Sequence, residues 1–138
     1  MSPPKITLED YFGRFTVMPG ENSQPSAATK ENAITLLSRV NALLAIIPLI
    51  EAERPQVTSG WRPAWHNATI ANAAPKSKHI SGEAIDLADP EGNLDDYLMD
   101  YRTLLVNHDL WLEHPLATKG WCHLQCVPPK SGRRVFYP

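Results

Sequence analysis

The chain has 138 residues, 43% of them hydrophobic and 20% charged, a composition that suits one folded domain spanning 1–138 and excludes a disordered polymer. Its net charge of -2 and isoelectric point near 6.2 leave no basic footprint for nucleic acid. No apolar run approaches the ~20 residues that a membrane span needs.

The predicted elements follow in chain order. Residues 1–28 read as a lead-in segment and 29–138 as the core of the domain. The start lacks the apolar centre of a signal peptide, which predicts a protein made in the cytoplasm and delivered by other means if it acts outside. A short helix is expected over 7–13, capped by Thr7 with Glu9 and Asp10 in its first turn. A turn-rich stretch, 19–28, comes next. Ala33, Leu36, Leu37, Val40, Leu43, Leu44 and Ile47 recur at helical spacing, so a long helix is expected over 30–47, with Thr29 as its cap and Pro48 at its end. Such a pattern marks a scaffold helix that packs on the core.

A short strand is expected over 56–61, a weak helix over 64–73, a buried strand over 83–87 and a second long helix over 93–107. The last third reads as strands over 110–113, 121–127 and 134–137. The thirteen prolines agree with many short elements joined by fixed turns. Helices and strands are partly segregated, which predicts an α+β domain. Cys122 and Cys126 fall on one strand, roughly 13 Å apart at the usual rise per residue, too far for a disulfide. Both are expected to be free thiols on the apolar face with Leu124.

Three stretches carry chemistry: Ser59-Gly-Trp-Arg62, then Ser77-Lys-His-Ile-Ser-Gly-Glu-Ala-Ile-Asp86, then Gly120-Trp-Cys-His123. A catalytic zinc takes three protein ligands from His, Asp, Glu or Cys and keeps a fourth position open. Asp86 lies within an apolar strand, where a carboxylate is costly to bury without a metal or hydrogen-bond donors. Strand alternation puts Trp121, His123 and Gln125 on one face and the thiols on the other, so His123 points towards a cleft or solvent and the cysteines are not its co-ligands.

The run Ser77-x-His79-x-x-Gly82-x-Ala84-x-Asp86 resembles the signature of the zinc D-Ala-D-Ala carboxypeptidases and phage L-alanyl-D-glutamate endolysins, whose fold is shared with the Hedgehog signalling domain. The upstream Ser-Gly-Trp-Arg and the aromatic-x-His strand fit the same pattern, and the matched segments run over 59–123. The helix around 31–44 is similar to that of short phage-encoded members. The resemblance implies a zinc-dependent peptidase that cuts a bond in bacterial peptidoglycan, acting as a phage or prophage lysis enzyme on the cell wall. It carries over His79, Asp86 and His123 as ligands of Zn2+, and Arg62 and Ser77 as groups that bind substrate oxygens. A guanidinium suits that role because it binds a carboxylate through two parallel hydrogen bonds. A monomer is expected.

One position departs from the pattern. Many relatives place a Glu or Asp three residues before the last histidine, where this chain has Gly120. If 110–113 and 121–127 form a hairpin, Glu113 lies near Trp121 on the side of His123, and it is the expected general base. Asp89 and His114 are the alternatives. His66 and His108 read as surface or helix-end residues. Loss of the usual base also leaves open a domain that keeps zinc and binds peptidoglycan without cutting it, or a phage structural protein.

Overall fold

The structure is a computed structural model of the chain and describes residues 6–16, 24–71, 73–74 and 76–138. It is an α+β arrangement with an open, mixed sheet of five strands in the order β1-β2-β4-β3-β5. The strands are β1 (Val57–Ser59), β2 (Ala84–Asp89), β3 (Trp111–Glu113), β4 (Gly120–Gln125) and β5 (Val135–Phe136). The first four pair antiparallel, and β5 joins β3 in parallel at the far edge. The central pair, β2 and β4, is in register from Ala84 opposite Gln125 to Asp89 opposite Gly120.

Alternation along these strands produces two unlike faces. Ile85, Leu87, Leu112, Cys122 and Leu124 are buried and belong to one apolar cluster with the helices. Asp86, Glu113, His123 and Gln125 project from the other face. The helices are α1 (Leu8–Phe12), α2 (Ala27–Leu44), α3 (Ile50–Glu53), α4 (Ala64–Asn67), α5 (Asn93–Asp100) and α6 (Thr103–Asn107). Three-residue spacing of apolar side chains explains α2, whose Ala33, Leu36, Leu37, Val40, Leu43 and Leu44 are all buried.

The boundaries depart from expectation in ways that have local causes. Helix α2 begins at Ala27, and its cap is Ser26, whose hydroxyl accepts from the Thr29 amide; Thr29 lies inside the first turn. The helix ends at Leu44, and Ile46 and Ile47 make only tight i to i−3 bonds before Pro48. The weak helix at 64–73 is a single turn, α4, followed by turns. The expected long helix over 93–107 is two, because Tyr101 (φ -124°, ψ 57°) leaves the helical region. Buried Leu94, Leu98 and Leu105 keep helical spacing across that break, so the hydrophobic pattern could not reveal it. Tyr101 itself, at the break, is 53% exposed.

The first described segment is tied into the core. Thr7 caps α1 in a reciprocal capping box with Asp10. Ile6, Tyr11, Phe12 and Phe15 are buried, and the Tyr11 hydroxyl donates to the Ala84 carbonyl at 2.8 Å. The turn-rich stretch expected over 19–28 lies partly outside the described residues. No helix among the described residues is long and apolar enough to cross a membrane.

Candidate metal centre

His79, Asp86 and His123 converge on the polar face of the sheet, with one ligand atom from each lying within 4.8 Å of the others. Asp86 and His123 are direct cross-strand partners on β2 and β4. His79 arrives from the loop before β2. Asp86 Oδ2 is 3.3 Å from His79 Nε2, and Asp86 Oδ1 is 2.8 Å from His123 Nδ1. The two imidazole rings stand edge to face, 5.3 Å between centroids.

What holds the loop of His79 is the segment Gly60–Arg62. The Gly60 carbonyl accepts from His79 Nδ1 at 2.9 Å. The Trp61 indole donates to the Ile80 carbonyl at 2.9 Å, while its ring packs edge to face on Phe12 and Phe15. The Arg62 amide donates to the His79 carbonyl at 3.1 Å, and its guanidinium to Ser77 Oγ at 3.2 Å. Gly60 is required here: a Cβ would lie 1.9 Å from the Tyr11 carbonyl oxygen. Gly82 is required too, with φ +78° and a virtual Cβ 2.6 Å from the Thr29 carbonyl oxygen at the start of α2.

The second nitrogen of each imidazole decides what the first can do. His79 Nδ1 faces a carbonyl and must carry the proton, which leaves Nε2 with a lone pair directed at Asp86. His123 Nε2 lies 2.8 Å from Gln125 Oε1, and the Gln125 amide donates onward to the Val127 carbonyl at 2.9 Å. That relay fixes Oε1 as an acceptor, so His123 Nε2 carries the proton and Nδ1 presents its lone pair to Asp86. Two imine nitrogens and a carboxylate thus face a common point with no hydrogen among them. A cation, or extra protons on the imidazoles, is needed to make that arrangement favourable. Two imidazoles and one carboxylate, each offering an atom within 4.8 Å of the others, are the donor types that hold a divalent metal. The residues present therefore fit a divalent metal.

The electrostatics of the protein alone correspond to the second arrangement, in which added protons on the imidazoles donate to Asp86. Burial pushes the His79 imidazole below its usual range, against the hydrogen bond and charge of Asp86. Burial acts the same way on His123, but its bonds to Asp86 and Gln125 outweigh it and leave the group raised. For Asp86, burial would raise the carboxyl; the hydrogen bonds from both histidines win, and it lies well below the ordinary range.

Comparison with protein-family models, with curated proteins and with solved structures finds no match for this chain.

His123 also lines an open cleft of ≈ 640 Å³, together with Gln125, Glu113 and Ser77. Glu113 follows from the pairing of β3 with β4, but the register differs from expectation. Leu112 opposes Leu124, so the next step brings Glu113 opposite His123 and not beside Trp121. Its Oε1 is 4.0 Å from His123 Nδ1. Burial raises the Glu113 carboxyl, partly offset by the charge of His123 and reinforced by that of Asp86.

The remaining candidates make other contacts. Ser77 accepts from the His79 amide and from Arg62, so it braces the loop as well as lining the cleft. Arg62 is half-buried, its guanidinium lowered chiefly by desolvation, and its Nε is buried with no hydrogen-bond partner among the described residues. Asp89 is on the opposite face of β2 from Asp86; it accepts from the Leu94 and Asp95 amides at 2.9 Å each and serves the start of α5. His114 caps a turn through Nδ1 and stacks on Tyr137, 4.4 Å between rings. His108 Nδ1 bonds the Leu104 carbonyl. Cys122 and Cys126 are buried free thiols. Sequence reasoning missed Gln125 and Gly60 as partners of the ligands. The alternation of 121, 123 and 125 on one face was the available signal for the former; none existed for the latter.

Proposed function

We propose that this protein is a zinc-dependent peptidase of the Hedgehog and D-Ala-D-Ala peptidase type, acting on the peptides of bacterial peptidoglycan. The observation that carries the reading is the meeting of three donors, His79 Nε2, Asp86 and His123 Nδ1, of which His123 also lines an open cleft. A set of two imidazoles and one carboxylate with a cleft beside it suits a metal that keeps an open position. Zinc held there would supply Lewis acidity, lowering the pKa of water towards ~7 and polarising a scissile carbonyl.

The chain's own residues supply the rest. Glu113, raised by burial and adjacent to His123, takes a proton from the attacking water and returns it to the leaving amine. A carboxylate on the neighbouring strand thereby replaces the one absent at Gly120, which favours a hydrolase over a zinc-containing wall-binding protein. The resemblance assigns Arg62, which donates to Ser77, to a substrate carboxylate or carbonyl oxygen, although Arg62 lines a neighbouring cavity with Phe15 and Trp61 and not this cleft. Gln125 keeps His123 in the required tautomer. The peptidoglycan substrate and the setting of a phage or prophage lysis enzyme rest on the resemblance of the motifs alone.

Mass spectrometry of peptidoglycan digested with the purified, zinc-loaded protein tests the reading. New amino groups and defined peptide fragments are expected. Retention on the wall with no fragment released would make it a binding protein.

A further inference from the structure

Both backbone groups of His79 lead to Arg62. The Arg62 amide donates to the His79 carbonyl at 3.1 Å. The His79 amide donates to Ser77 Oγ at 3.2 Å, and the same oxygen accepts from Arg62 Nη2 at 3.2 Å. Arg62 thus grips the loop of His79 twice, once directly and once through Ser77. Its own segment is fixed from behind, where Trp61 packs edge to face on Phe12 and Phe15 and donates to the Ile80 carbonyl. The guanidinium is poorly placed to meet a molecule in the cleft. It lines the neighbouring cavity of ≈ 270 Å³ with Phe15 and Trp61, and not the cleft beside His123. Its Nε is buried with no partner among the described residues. With Nε enclosed and Nη2 turned to Ser77, the side-on edge through which a guanidinium takes a carboxylate by two parallel hydrogen bonds is closed.

We propose that Arg62 is a positioning residue that acts through Ser77 to hold His79 at the metal centre and does not touch the substrate. This rests on the metal reading of the site, and the clause on substrate rests on the peptidase reading. A hydroxyl oxygen has two lone pairs, and at Ser77 the bonds from Arg62 and His79 occupy both. Removing the guanidinium frees the hydroxyl to rotate and loosens its hold on the His79 amide, which widens the range of positions open to Nε2. Metal affinity depends on that nitrogen being held in one place. The charge of Arg62 works in the opposite sense. Asp86 and His79 both lie within its field, so a cation at the metal centre is repelled by it. Loss of the clamp and loss of the charge therefore have opposite signs when Arg62 is removed.

The test is a double-mutant cycle of R62M with S77A. Zinc affinity is read by chelator competition, exchange of the His79 amide by NMR on the metal-free protein, and kcat and KM on peptidoglycan fragments. R62M is expected to weaken zinc about tenfold, the lower end for an outer-shell partner, and to speed exchange at His79. In the S77A background it should add nothing to either. kcat should fall with KM unchanged, and R62K, which can still donate to Ser77, should recover part of the loss. Unchanged or tighter zinc in R62M would leave only the charge and overturns the proposal. So does an effect of R62M that S77A leaves intact, or a rise in KM at unchanged kcat, the signature of a substrate ligand. If no peptide is cut, the peptidase reading fails by itself, while zinc affinity and amide exchange still decide Arg62. Circular dichroism confirms that each variant is folded, and R62Q replaces R62M in the cycle if the latter is not.

Discussion

Strand β2 carries two aspartates three residues apart, Asp86 partly and Asp89 fully buried, and they have opposite fates. Asp86 points to the polar face, where two imidazoles meet it and draw its carboxyl below the usual range. Asp89 points to the helical face, where the Leu94 and Asp95 amides at the start of α5 take both of its oxygens. An odd spacing on a strand forces this split. Burial alone therefore says little about a carboxylate. Its partners do: lone pairs at Asp86 invite a cation, whereas amide hydrogens at Asp89 satisfy the charge outright and favour the helix N-terminus.

The comparison can be broken most severely at the metal. Asp86→Ala or His123→Ala should take bound zinc from about one per chain to near zero by elemental analysis, since two remaining ligands do not make a catalytic site. Full retention of zinc in His123→Ala would remove the assignment. Glu113→Gln should keep the metal and the fold but lower peptide hydrolysis roughly a hundredfold or more. Gln preserves shape while losing the basic oxygen, so a wild-type rate would place the base elsewhere. Gln125→Ala, which frees His123 Nε2, should weaken zinc about 10- to 100-fold in a chelator competition without unfolding the chain.

On the other face the expected effects are on stability. Asp89→Ala should cost about 1–2 kcal/mol in denaturant unfolding, the scale of a lost helix cap, with zinc content unchanged. Loss of zinc there would mean the two faces are not separate. Asp95, beside Asp89, supplies the smallest and most specific test. Burial pushes its carboxyl up to about 7, against hydrogen bonds from Cys122 and Thr118 and with the charge of Asp89. Its folded value lies above the unfolded one, so the folded state holds the extra proton between about pH 4 and 7. Stability through this group is accordingly greatest below that window and is lost as pH rises through about 7. Asp95→Asn should thus raise the melting temperature relative to the parent at pH 8 and not at pH 4. An equal difference at both pH values would show that Asp95 is ordinary.

Much of the site was legible in the chain because its signals are local. Ser77, His79, Gly82, Ala84 and Asp86 sit at fixed spacing, and alternation over 121–125 assigned His123 to one face and the thiols to the other. The same logic placed Glu113 on the correct strand and face, yet one step out of register. Register is set by how β3, β4 and the turn between them close, not by the residues of β3 alone. Asp89 remained a candidate base for a similar reason, since its service to α5 depends on a helix that begins four residues later.

By itself the sequence determined the α+β class, the two faces of β4, the scaffold helix α2 and the three side chains that meet at the candidate metal centre, because periodicity and typed spacing are properties of the local chain. The tertiary structure decided which nitrogen of each histidine is free, through Gly60 from 19 residues away and through Gln125. It also decided that Glu113 reaches His123, that the break at Tyr101 divides one apolar stripe between two helices, and that Arg62 meets Ser77 and the His79 backbone. Each of these depends on contacts between segments distant in sequence, which only the packing of the sheet brings together.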